Sequence, residues 1–145
     1  MDGRSGVAGS GERAMSAEVA VRGALVAALR GDAALMAGLN GLFDGAPGRA
    51  SAPYGVVGDC IALDWGAKDL DGRELVVTVS LFDAGEAPAR LAGLLARVDA
   101  VLRGLGLAGG WRVVGARLVR SRVARTGARD GWQALVDYRV RVVGV

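Results

Sequence analysis

The chain has no histidine, one cysteine, one lysine and only 5% aromatic residues. Each shortage removes a class of function. Without histidine there is no ordinary general base near neutral pH, so Ser-His-Asp, Cys-His and His-metal schemes are all excluded. Cys60 has no cysteine to pair with, and there is no cluster with structural-zinc spacing. Asp59 and Ile61 flank it in a strand-like run with no local base, so an inert, packed or half-packed thiol is expected. The lone Lys68 precedes Asp69, which rules out a phosphate-cradling GK[ST] loop.

Long apolar runs are also missing. Arg22, Arg30, Asp32, Arg90, Arg97, Asp99 and Arg103 interrupt both helical regions, so no membrane span is predicted. The opening "MDGRSGVAGSGERAM" lacks the apolar segment of a secretory signal, and the reading is a protein made in a reducing cytoplasm. "GLGLAG", Gly104 to Gly109, matches GxGxxG in letters only. A dinucleotide site needs a strand before the motif and a helix after it; here the order is reversed, which reads as a glycine helix cap and a flexible connection. Asp59 with Asp64, or Asp69 with Asp71, are the available carboxylate pairs. The second lies in the turn-forming "AKDLDGR", where Asp and Gly serve the backbone, and no enzymatic role is assigned to either.

At 145 residues the chain is long enough for one domain with a core of its own, built chiefly from Leu, Val and Ala. Residues 1–14 read as a flexible Gly/Ser-rich tail and residues 15–145 as a single domain. Ser16 caps a helix to about Arg30, and Asp32 caps a short second turn, "AALMAGL". "LFDGAPGRASAPY" is broken by Gly and Pro and reads as an irregular crossing. Strands are predicted over Gly55–Trp65, with a bulge at Gly58, and over Glu74–Phe82, joined as a hairpin. An amphipathic helix from Pro88 to Gly104 follows, then strands from Trp111 to about Arg125 and from Trp132 onward, turning at "TGARDG". In the last strand Trp132, Ala134, Val136, Tyr138, Val140 and Val142 form the core side. Gln133, Asp137, Arg139 and Arg141 form a side that is wet or bound. The predicted fold is α+β, order α-α-β-β-α-β-β, a largely antiparallel four-stranded sheet with helices on one face.

Charge is lopsided. From Trp111 onward eight arginines stand against Asp130 and Asp137, a local net of +6. Such a stretch can grip phosphate, but aromatic platforms or a groove-reading helix are lacking. A solvated face, or a face paired with carboxylates of a neighbouring subunit, is the stronger reading.

Several segments together resemble a known family: "GDAALMAGLNGLFDGAP", "APYGVVGD", Trp65, "DGRELVVTVSLFD" and "WRVVGARLVRSRVARTGARDGWQALVDYRV". Their order and the spacing of Asp32, Leu35, Asp44, Pro47, Pro53, Tyr54, Trp65, Arg73 and Arg139 are similar to the tail-completion or tail-terminator proteins of long non-contractile phage tails and phage-derived gene transfer agents. The likeness runs from about Ser16 to the C-terminus. It implies a non-enzymatic subunit without cofactors, located in a particle tail at its head-proximal end. Such subunits form a homo-oligomeric ring, typically hexameric, on the tube of major tail protein. The ring meets the head-tail connector and lets DNA pass without reading its sequence. Contacts would then lie on Trp65, Lys68, Arg117, Arg120, Arg122, Arg125 and Arg129. The alternative is a small nucleic-acid-binding module using the arginine-rich C-terminal hairpin.

Overall fold

The computed structural model describes residues 15–145; the expected tail, residues 1–14, lies outside them. Helix α1, Ala17–Arg30, begins where the Ser16 hydroxyl accepts from Val19 N, and it stops at Gly31. Helix α2, Ala33–Ala37, starts at Asp32, whose carboxylate accepts from Leu35 N at 3.0 Å. Both caps follow from short polar side chains reaching amides that the first helical turn leaves unpaired. Strands β1 (Leu42–Asp44), β2 (Tyr54–Asp64) and β3 (Gly72–Ala84) come next, then helix α3, Ala89–Arg103, which begins after Pro88 and ends at Gly104. Strands β4 (Leu107–Ala108), β5 (Trp111–Arg125) and β6 (Gly131–Gly144) complete the chain.

The sheet has six strands in the order β1-β2-β3-β6-β5-β4. This corrects the four-stranded expectation. The two added strands come from stretches read as irregular: β1 opens "LFDGAPGRASAPY" and runs parallel to β2, and β4 lies within "GLGLAGG". Neither is long enough to show a period of two. The four long strands are antiparallel neighbours and form the two predicted hairpins, which meet through β3 and β6. The register of β2 on β3 shifts between Val57 and Cys60, so the bulge falls at Gly58 as expected.

One face of the sheet is apolar. Leu75, Val77, Val79 and Leu81 of β3 lie beside Ala134, Val136, Tyr138 and Val140 of β6, all at most 4% exposed, in one core with Leu25, Leu29, Leu91, Val98 and Leu102 of the helices. Tyr138 spans the layers: its ring is in the core and its hydroxyl donates to Asp99 Oδ1 of α3 at 2.5 Å. Burial and the neighbouring carboxylate both raise the pKa of that phenol.

Three carboxylates tie the helical layer together. Arg97 of α3 donates to both oxygens of Asp32, at 3.0 and 2.7 Å, so one side chain caps α2 and anchors α3. Arg90 at the start of α3 holds the buried Asp83 of β3, and Arg103 donates to Asp99 Oδ2 at 2.8 Å. Each carboxyl is held below its usual pKa, first by its arginine: Arg97 for Asp32, Arg90 for Asp83, and Arg103 and then Tyr138 for Asp99. A depressed folded-state pKa gives stability that is complete above the unfolded value, about 3.9 for Asp, and is lost as pH falls through the folded one. Thermal melts from pH 6 to pH 2 are therefore expected to show the melting temperature dropping below about pH 4. Arg90→Ala should start lower and fall less steeply over that range, because its share of the pH-dependent stability is gone.

Candidate assembly surface

The face of the sheet away from the helices carries several of the predicted contact residues, most of them on β5. Residues paired across a ladder share a face. Arg117 pairs with Arg139, Arg120 with Asp137 and Arg122 with Leu135, so these three arginines lie on the helix-free side. Strict alternation would put Arg117 and Arg120 on opposite sides. The register shift between Leu118 and Arg120 inserts one residue and brings them together. Arg125 pairs with Trp132 and belongs to the other side, its guanidinium 4.7 Å from the centre of that indole. Trp132 in turn donates its indole N–H to Gly85 O at 3.1 Å.

The predicted contact residues thus separate into groups. Arg120 donates to Asp137 Oδ2 at 3.0 Å, and that buried carboxylate also accepts from Thr78 Oγ1 at 2.5 Å. Its charge is therefore committed within the subunit. Arg117 and Arg122 are exposed and make no ion pair among the described residues. Trp65 and Arg117 come together in a shallow cleft of roughly 290 Å3, shared with Val114, Gly115, Ala116, Arg139 and Arg141. Lys68 lies apart, in the β2–β3 turn beside Asp64, Asp69 and Asp71. Arg129 lies in the β5–β6 turn, next to a recess that includes Tyr54, Phe82 and Trp132.

Around the cleft a single carboxylate serves two cations. Arg141 Nε donates to Glu74 Oε1 at 2.9 Å, and Arg139 Nε lies 3.6 Å from Glu74 Oε2, buried without a hydrogen-bond partner. Arg141 also sits over the Trp65 ring, 5.0 Å from its centre. With Arg117 directly across from Arg139, three cations face one anion, an excess that favours an incoming carboxylate or phosphate.

Glu74, Arg139 and Arg141 were not among the predicted contacts. The alternation "YRVRVV" did mark the two arginines as a wet or bound side, but their meeting with Glu74 depends on β3 lying beside β6. A second group also escaped notice. Ile61 and Leu63 of β2, and Val114, Leu118, Val119 and Val123 of β5, are all exposed hydrophobics. Their apolar alternation resembles that of core strands, so only the fold reveals them as surface.

Chemistry of other kinds finds little footing. Burial raises the Cys60 thiol to about 11, although Arg22, remote in sequence, lies near enough to oppose the shift. No group of three or more His, Cys, Asp or Glu side chains among the described residues is placed to hold a metal ion. No helix among them is long and apolar enough to cross a membrane.

This side of the sheet thus combines surplus arginine with the Trp65 ring and the exposed Ile61 and Leu63. The chain belongs to the tail completion protein gp17 family, which it matches over residues 23–143. It is therefore a structural protein of phage-type tails, located in the virion. Among solved structures it is similar to a chain of the "Virion of native gene transfer agent (GTA) particle", with a TM-score of 0.78 and 25% identity, covering 90% of this chain and 100% of that one. No curated protein sequence matches it.

Proposed function

We propose that copies of this chain form a ring that caps a finished tail tube, ends its polymerisation and joins it to the head-side connector in a gene-transfer-agent or phage particle. The observation that carries this is the likeness to the virion chain, which leaves none of that chain uncovered and only a tenth of this one. The physical logic is closure. One heterologous contact repeated around an axis uses up its own surfaces, so growth stops where a filament would continue. The ring is hexameric, and its channel passes DNA without reading bases. Lys68, Trp65 and the arginines of the β5–β6 hairpin supply its contacts with subunit, tube or channel.

The nucleic-acid-module alternative loses support from the dispersal of its arginines over two faces and from the pairing of Arg120 with Asp137. Native mass spectrometry of the purified chain, with and without assembled tail tubes, tests the ring. Six-fold closed oligomers and tubes that stop lengthening on addition of the chain are the expected results. Monomers alone under both conditions would refute it.

A further inference from the structure

Two lengths of strand edge are left open on opposite sides of the sheet. Strand β1 pairs with β2 only over Gly55–Val57, so from Asp59 to Asp64 the outer edge of β2 meets no strand among the described residues. Strand β4 covers β5 only at Trp111 and Arg112, which leaves the outer edge of β5 without a strand partner among the described residues from Val114 to Arg125. Open edges present rows of unpaired backbone donors and acceptors and readily accept another strand.

Side chains set these two edges apart from the rest of the surface. Of the eleven large exposed hydrophobics, six sit on them: Ile61 and Leu63 on β2, and Val114, Leu118, Val119 and Val123 on β5. Their charges are opposite. Strand β2 contributes Asp59 and Asp64, whereas β5 contributes Arg117 and Arg122, which make no ion pair among the described residues. The Arg117–Arg139 juxtaposition adds an unmet demand for negative charge.

Strand direction is also suitable. Because β2, β3, β6 and β5 are successively antiparallel, β2 and β5 run in opposite directions. A second copy in the same orientation therefore offers its β2 antiparallel to the first copy's β5, as a rotational ring requires. Following the registers across the sheet, Ile61 is level with Arg117 and Asp64 with Val113. Copies placed flush thus bring Ile61 beside Arg117, Leu63 beside Gly115 and Asp59 beside Arg120, between Arg117 and Arg122, all on the helix-free side, and leave Asp64 level with Val113.

We propose that the β2 edge of one copy docks antiparallel on the β5 edge of the next, with Asp59 facing the unpaired Arg117 and Arg122 and Asp64 adding negative charge at the end of the edge. This rests on the ring reading and names its subunit contact. The test reverses each edge separately, in Arg117→Asp/Arg122→Asp and in Asp59→Arg/Asp64→Arg, with circular dichroism and thermal melts to check folding. Like charges across an interface oppose association, so each variant alone should dissociate at least about tenfold more readily than the unsubstituted chain. An equimolar mixture should recover closed oligomers with alternating subunits and hence even copy numbers, seen by native mass spectrometry.

Assembly of either variant at the unsubstituted level, or a mixture that fails to recover, would overturn the edge assignment. Loss of tube capping without loss of oligomers would give the edge to the tube instead, and would also overturn it. If the unsubstituted chain never oligomerises, with or without tubes, the ring reading itself fails. Should a reversed variant lose its fold, Arg117→Gln/Arg122→Gln and Asp59→Asn/Asp64→Asn carry the test. Weaker assembly with reduced salt sensitivity supports the contact, and unchanged salt sensitivity refutes it.

Discussion

Leu25→Ala is expected to destabilise the protein by about 3 kcal/mol, within the usual range for emptying a rigid core site. Leu25 lies midway along α1, fully buried in the core that the helices share with the sheet. The lost methyl groups leave a void that β3 and β6, held by thirteen paired positions, cannot easily collapse to fill. For a chain of this size that cost corresponds to a fall in melting temperature of about 10 °C, measurable by calorimetry. A fall of less than about 3 °C would mean that α1 does not anchor the core as described.

Gly66→Ala is expected to cost about 2 kcal/mol and to disturb the cleft beside Trp65 as well. A Cβ at this position would lie 2.4 Å from Leu70 O and 3.1 Å from Gly72 N. Both obstacles are backbone, in a turn closed by Ala67 N to Leu70 O at 2.9 Å and Trp65 N to Gly72 O at 3.0 Å. Relief therefore requires the turn to open. Trp65 would shift from under Arg141, changing tryptophan emission, and the cleft beside Arg117 would lose a wall. A variant with unchanged emission and a melting temperature within 1 °C or so of the parent would contradict this account.

The sequence was informative wherever a signal was local. Ser16 and Asp32 announced two helix starts, Gly31 and Gly104 two helix ends, and Gly58 a bulge, because each acts through the backbone beside it. The ends of β5 were also legible from alternation between Trp111 and Arg125. Strands β1 and β4 were not, since three and two residues cannot establish a period. The candidate assembly surface was half visible. Trp65 and Arg117 were named without any indication that they meet, and their neighbours Glu74 and Arg141 depend on the pairing of β3 with β6. Arg120 looked like a free cation because Asp137 lies seventeen residues away and reaches it only through the hairpin register.

Strand order bears on how the molecule is made. Strand β6 is last in the chain among the described elements, yet it lies between β3 and β5. Until it is available, β3 lacks one neighbour, α3 has no Tyr138 hydroxyl for Asp99, and β5 has no ladder beyond its two residues with β4. The contacts completed last in synthesis are also those of long sequence separation, such as Gly72 with Val143, whose loop-closure entropy must be met before they stabilise anything. Folding is therefore expected to be slow for a chain of this size, because the strand at the middle of the sheet is the last of the described elements in the chain.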